Sequence, residues 1–417
     1  MKNQILILVI FCAFFQLGIG QVVQTKSNDL EYFRPAGKQG LNIFETSKQN
    51  SEDFEKLTVK VGADFALQFQ GLRANNANLG TNVNLPTANL NIDAQLAQGM
   101  RVHLRTYLSS RTHEDTWVKG GYLQIDDLGF IKPGFAEKIM NITTIKIGMD
   151  DINYGDAHFR RSDNASAIYN PFVGNYIMDG FITEAYMEFT LQPKDYIFVL
   201  GISNGNMDQT ATITETNDTS IRLYAKAGID RQVSEDLRVR LTGSYTSAPG
   251  MENGRLLYGG DRAGARYYLT QDLRDGRVNP RFADMQAWMI NPFVKFRNFE
   301  FFGIFEQTSG FQSSNQNRTA GKYTQLAGEL LYRFGTKNQF YLGTRYNTVR
   351  GYDDYANSQT TPQNGSTNRI NAGGGWFFTD NVLAKIEYVN QSYADKGGWD
   401  DSSKNFKGFV FEAVISF

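Results

Sequence analysis

The last twelve residues, F-K-G-F-V-F-E-A-V-I-S-F, alternate without a break. Phe409, Phe411, Ala413, Ile415 and Phe417 fall on one side of an extended chain, and Gly408, Val410, Glu412, Val414 and Ser416 on the other. Period-2 alternation between unlike faces places a strand between two solvents. With one face this aromatic and the other holding Glu412, the two solvents are read as lipid and water.

Reading backward from this strand predicts sixteen: 57–72, 88–97, 100–109, 116–126, 143–149, 180–190, 195–203, 220–229, 236–246, 284–296, 298–309, 320–333, 338–350, 366–377, 381–393 and 404–417. Short connections (Ala97 to Met100, Leu191 to Lys194, Asp230 to Glu235, Phe334 to Lys337, Thr379-Asp380) alternate with long polar ones. That rhythm is expected of an all-β, transmembrane antiparallel β-barrel with turns at one end and loops at the other. An even count puts both termini at the short-turn end. One connection breaks the rhythm: L-G-F-I-K-P-G-F-A-E-K-I-M-N is too long for a turn and predicts a small periplasmic helix or strand extension.

Composition agrees with a barrel wall. After residue 20 no stretch reaches the roughly 18 apolar residues that a spanning helix needs. Mean hydropathy is negative while 40 Gly, 31 Phe and 21 Tyr are present. A wall with one lipid-facing residue in two can look hydrophilic on average and still span. The balance of 42 Lys+Arg against 43 Asp+Glu excludes the basic excess of a nucleic-acid binder. Residues 1–20 read as a signal peptide: Met1-Lys2, an apolar run from Ile5 to Phe15, and Gly18-Ile19-Gly20 before a cut near Gln21. The only cysteine, Cys12, lies inside it, so disulfides and zinc–thiolate sites are excluded from the mature chain. Residues 21–56 show no alternation and are expected to form a periplasmic tail or a plug-like segment against the barrel floor; 57–417 form the barrel.

Assigning faces selects the water-facing residues. Val102, Leu104 and Leu108 face out on the third strand, leaving Arg101, His103 and Arg105 inside. On the eighth, Arg222, Tyr224 and Lys226 face in, and on the ninth Arg238 and Arg240. Lys60, Asp64, Gln68 and Gln70 of the first strand and Glu184 and Glu188 of the sixth share that wall. About sixteen strands leave an aqueous channel, so these charges are expected to be hydrated and to select among ions. The third long loop, from Asp150 to Asp179, carries apolar anchors (Tyr154, Phe159, Tyr169, Phe172, Tyr176) that a merely solvated loop would lack. It is expected to fold into the lumen as a constriction holding Asp150, Asp151, Asp156, His158, Arg160, Arg161 and Asp163. Its acids would confront Arg101 and Arg105 across a transverse field. Residues 247–283 hold Arg255, Arg262, Arg266, Arg274, Arg277 and Arg281; they suggest an anion funnel or a contact to surface sugars, and an extra hairpin there would raise the count to eighteen.

The stretch I-K-I-G-M-D-D-I-N-Y-G-D-A-H-F-R-R-S-D-N-A-S-A-I-Y-N-P-F-V-G-N-Y, with the Phe-terminated last strand, resembles the phosphate-selective porin O/P group of Bacteroidota-type bacteria. A terminal strand ending in Phe also resembles the assembly signal of outer-membrane barrels. The resemblance implies an outer-membrane porin of a Gram-negative bacterium, passing small hydrophilic solutes or inorganic anions with an anion preference. It further implies a phosphate ladder to which Arg101, Arg105, Arg222, Arg238 and Arg240 would contribute, contact with membrane lipid and lipopolysaccharide, and, by analogy, a homotrimer. No catalytic residue, metal ligand set or cofactor motif is identified. Two alternatives remain: an uptake barrel for a more hydrophobic ligand, which needs an apolar lumen and a plugging N-terminus, and a barrel hydrolase built on Asp150, Asp151, Asp156 and His158, the last of three histidines with His103 and His113.

Overall fold

The computed structural model describes residues 30–48, 54–74, 81–107, 116–162, 166–204, 221–249, 257–258, 267, 276–280, 282–312, 320–353, 363–394 and 405–417. Sixteen antiparallel strands close into one barrel, each paired with its neighbours in sequence and the first with the last. They are β1 (Thr58–Ala74), β2 (Thr81–Ala97), β3 (Met100–Tyr107), β4 (Trp117–Ile125), β5 (Thr143–Asp151), β6 (Thr183–Leu191), β7 (Tyr196–Ser203) and β8 (Arg222–Gln232). The circuit continues through β9 (Leu237–Ala248), β10 (Phe282–Phe296), β11 (Phe299–Gln312), β12 (Ala320–Phe334), β13 (Phe340–Asp353), β14 (Gln363–Thr379), β15 (Val382–Ala394) and β16 (Phe406–Ser416). The wall does not widen to eighteen, because β9 pairs directly with β10 from Met285↔Ala248 to Phe296↔Leu237. The long connection between β4 and β5 contains a short helix, α1 (Glu137–Met140).

The alternation works as expected on the outside. Leu104, Leu200, Leu223, Leu326 and Phe409 are exposed, whereas their strand neighbours Arg101, Arg222, Gln325 and Val410 are buried. An outer surface of this kind is stable against hydrocarbon and not against water. At the short-turn end of β11 to β14 the outward rings run in contact: Phe299 with Tyr332 (4.7 Å), Phe334 with Phe340 (5.5 Å), Phe340 with Trp376 (5.6 Å) and Trp376 with Phe378 (4.3 Å). Amphipathic rings favour the level where lipid meets water.

The interior departs from the hydrated lumen expected of sixteen strands. Arg222, Arg240, Arg345 and Arg369 are all less than 2 % exposed. Residues 30–48, 152–162 and 166–182 lie inside the barrel, joined by Leu257, Tyr258, Tyr267 and Val278 of the 247–283 connection. That connection is therefore in part an interior segment and not only a surface funnel. Arg255, Arg262, Arg266, Arg274 and Arg281 lie outside the described residues. Glu412 faces inward, but it meets Lys385 in a packed interior instead of water.

Closure depends on the two ends of the wall. β1 and β16 pair from Asp64↔Ser416 to Ala74↔Phe406, and the Phe417 and Ala63 backbones exchange hydrogen bonds of 3.1 Å. A Cβ on Gly62 would stand 2.5 Å from the Phe417 carbonyl oxygen, whereas one on Gly243 of β9 would meet nothing within 4 Å. Gly62→Val should therefore lower the heat-modifiable, barrel-closed fraction on refolding, and Gly243→Val should leave it unchanged; equal behaviour of the two would contradict this account of the seam.

Candidate functional site

A narrow lumen is built from three elements. The first is the wall of β1 to β6. The second is the third loop, described over residues 152–162 and 166–182, which crosses to the opposite wall and is held there backbone first. Amides of Val173 and Gly174 donate to Glu387 (2.6 and 3.2 Å), that of Ile177 to Asn347 (2.7 Å) and that of Met178 to Gln325 (2.9 Å). Carbonyls of Ala167, Asn170 and Phe172 accept from Lys385, that of Gly174 from Arg345, and that of Asn175 from Arg369. Irregular backbone away from water needs such partners, and the inward side chains of β12 to β15 supply them. Ile152, Tyr154, Tyr176, Ile177, Met178 and Ile182 then pack with Phe293 and Phe302 of the wall into one apolar cluster.

The third element is a strap, residues 30–48, running across the short-turn end and into the lumen. The Lys38 amide donates to the carbonyl of Asp380 in the β14–β15 turn (2.6 Å), and that of Gly37 to Ser416 (3.4 Å). Gly37 has φ +71° and its Cβ position lies 2.3 Å from the Asp380 oxygen, so only glycine fits. Arg34 sits 3.7 Å over the Tyr169 ring and donates to the carbonyls of Gly40 and Phe159, which ties the strap to the third loop. Glu31 accepts from the Gly99 amide (2.8 Å), and Lys48 pairs with Asp126 (2.8 Å).

Strap, loop and wall meet at four charges. Asp156 pairs with Lys226 (2.9 Å) and Arg240 (2.8 Å), and Glu45 pairs with the same two (3.2 and 2.7 Å). Burial alone would raise both carboxyls, but Arg240 and Lys226 outweigh it, holding Glu45 at about 2 and Asp156 well below the usual carboxylate range. His158 is pushed down to about 4 by burial and by Lys226, and stays neutral at physiological pH.

The other expected site residues divide into wall-bound pairs. Arg101 and His103 both engage Asp93 of the neighbouring strand and line the cavity that the loop borders. Arg105 lies 3.5 Å from Asp150 and 3.9 Å from Asp151, yet these two acids belong to β5 and not to the loop. Of the acids expected to confront Arg101 and Arg105, Asp150 and Asp151 thus meet Arg105 from β5, while Asp156 meets Lys226 and Arg240 on β8 and β9. Arg222 pairs with Glu184 (2.9 Å), and Arg238 with Asp230 (2.6 Å) and the Asn42 carbonyl. Arg160 reaches Glu329 and Asn42, and Arg161 pairs with Asp179 (2.7 Å). Asp163 and His113 lie outside the described residues. Sequence reasoning missed Glu45 and Lys146, and the inward set Glu329, Arg345, Arg369, Lys385 and Glu387; alternation on β12 to β15 contained the signal for that last set.

Between strap, loop and the β1–β6 wall a cavity of about 230 Å³ remains. Its lining carries the cations Arg34, Lys60, Arg101, Arg105 and Lys146 and the acids Glu45, Asp64, Asp93, Asp150, Asp151 and Glu188. Opposed charges are close to balanced there.

No protein-family model matches the sequence, and no curated protein matches it. Among solved structures, OmpT, an outer-membrane protein of Vibrio cholerae in its trimer form, is similar with a TM-score of 0.54 at 9 % identity, over 87 % of this chain and 100 % of that one. The anion-selective porin from Comamonas acidovorans gives 0.53 at 8 %, over 87 % and 100 %. The outer-membrane channel DcaP of Acinetobacter baumannii gives 0.52 at 12 %, over 88 % and 99 %. At such identities the likeness is one of fold: this chain has the barrel architecture of outer-membrane channel proteins.

Two outcomes follow from the four-charge cluster. Asp156→Asn leaves Lys226 and Arg240 short of a buried partner and should cost about 3–5 kcal/mol, read as a lower urea midpoint of the folded barrel. The contributions of Glu45, Asp156 and His158 to the pH dependence share one sign. Depressed carboxylates contribute stability that is complete above their unfolded value and lost as pH falls toward the folded one, here below about 4. His158, with a folded value below its unfolded ~6.5, costs stability as pH falls from there to 4. His158→Gln should therefore lose less midpoint than the parent between about pH 6.5 and 4 and leave the dependence below 4 unchanged, read as the difference between the two proteins at each pH.

Proposed function

We propose that this protein is an outer-membrane channel of a Gram-negative bacterium through which small hydrophilic solutes and ions diffuse passively. The observation that carries the reading is the charge-lined cavity left between strap, third loop and the β1–β6 wall. A barrel fold shared with the porin and channel proteins above supports it. Five cations against six acids favour weak ion selectivity. An anion preference lacks support in that balance, and so does a phosphate ladder, since Arg101, Arg105, Arg222, Arg238 and Arg240 each have a carboxylate partner. A homotrimer is proposed from the likeness to a barrel described in a trimer form.

The strap gives some weight to the alternative of uptake gated by an N-terminal plug, though the charged lining does not suit an apolar ligand. As for a hydrolase, Asp150, Asp151 and His158 line the cavity, but the two acids lie against Arg105 instead of orienting the histidine.

In planar bilayers the protein should give stable stepwise conductance with a reversal potential close to zero in a salt gradient; absence of steps would overturn the channel reading. Glu45→Lys places a third cation against Lys226 and Arg240, frees the strap and should raise the unitary conductance. Reversing both Arg101 and Arg105 to Glu should move the reversal potential toward cation selectivity, and an unchanged value would remove these residues from the ion path.

A further inference from the structure

The β4–β5 connection, residues 126–142, is unlike the other short-turn connections. It exposes Phe130 (55 %), Ile131 (60 %), Phe135 (46 %) and Ile139 (55 %), with Lys132 and Lys138 exposed beside them. It is not loose chain. Met140 is buried, α1 holds residues 137–140, the Asp126 amide donates to the Gly99 carbonyl (2.6 Å), and the Gln192 amide donates to the Ile142 carbonyl (2.7 Å). Four large apolar side chains are thus held against solvent at some cost unless something covers them.

The surrounding wall says what that is. β3, β4, β5, β6 and β7 have eight, nine, nine, nine and eight residues, whereas β12 has fifteen and β14 seventeen. A tilted strand needs about 9–11 residues to cross the hydrocarbon, so β5 and β6, at nine described residues each, only just span it. The contacting rings at the short-turn end lie on β11 to β14, away from it. The connection begins where the lipid-facing side of β4 and β5 ends and adds two Phe and two Ile there. Lysines beside an apolar face suit the phosphate of a phospholipid headgroup.

We propose that residues 128–139 form an interfacial anchor that binds phospholipid of the inner leaflet, with Phe130, Ile131, Phe135 and Ile139 in the upper acyl region and Lys132 and Lys138 on headgroup phosphate. The anchor adds apolar surface at the end of strands that only just span the hydrocarbon. It is independent of what the channel conducts.

The test uses the full chain with Cys12→Ser, which removes the only cysteine. An environment-sensitive fluorophore is placed at Ile131→Cys, at Ile139→Cys and, as an aqueous reference, at Glu235→Cys in the exposed β8–β9 turn. The protein is reconstituted in phosphatidylethanolamine–phosphatidylglycerol vesicles. Expected are a blue-shifted emission at 131 and 139, severalfold stronger quenching by brominated phospholipid than at 235, and weak quenching by iodide at those two sites. Adding Lys132→Glu and Lys138→Glu should move both labels toward iodide access while heat modifiability shows the barrel intact. Iodide quenching at 131 and 139 equal to that at 235 would overturn the proposal. So would shielding from both quenchers that disappears on dilution of protein in lipid, which would assign the surface to a second copy of this chain.

Discussion

A chain that runs irregularly through the inside of a barrel must hydrogen-bond every amide and carbonyl it takes out of water. Here the wall meets that demand with side chains. Glu387, Asn347 and Gln325 accept from successive loop amides, and Lys385, Arg345 and Arg369 donate to the loop's carbonyls. The third loop therefore has a defined path, and its position sets where the open space can be. Apolar packing of Tyr154, Ile177 and Met178 against Phe293 and Phe302 adds to this, but it follows a path that the polar wall has already imposed.

The strap is secured differently. Its contacts are mostly charged or to backbone, with Phe44 as its main ring in the lumen, set edge-on to Phe159 (5.7 Å) and Phe293 (5.4 Å). Glu45 shares Lys226 and Arg240 with Asp156, so strap and loop are fastened to the same two cations. Buried charge clusters are costly to break from one side. Loop and strap are for that reason coupled: losing either carboxylate leaves the cations exposed to the other's absence. The cavity remains where, among the described residues, β2 to β6 contribute nothing to the apolar clusters, whereas Ala66 and Leu72 of β1 join them.

Much of the wall was legible in the sequence because a strand between two solvents has to alternate. Leu223 and Arg222, or Leu104 and His103, could be assigned to opposite faces from spacing alone. β2 and β14 were longer than read, since polar residues such as Asn82 and Asn364 sit in strands beyond the alternating part. Pairing was less legible. Arg101 was expected to confront loop acids, yet its partner is Asp93, because β2 lies one interstrand spacing away. Nothing in the local pattern of residues 30–48 marks them as lumenal, as their partners lie on the wall up to about 380 residues further along the chain.

By itself the sequence determined the strand count, the inward and outward faces and the closing edge at Phe417, all properties with a period of two that local chemistry can carry. Only the tertiary structure decided what fills the barrel. Which charge meets which depends on register, on the crossing of the third loop and on the return of the strap, and these bring together groups from across the whole chain. The terminal strand shows both sides of this: its alternation placed Glu412 indoors, and only the fold revealed that it meets Lys385 under a packed loop instead of water.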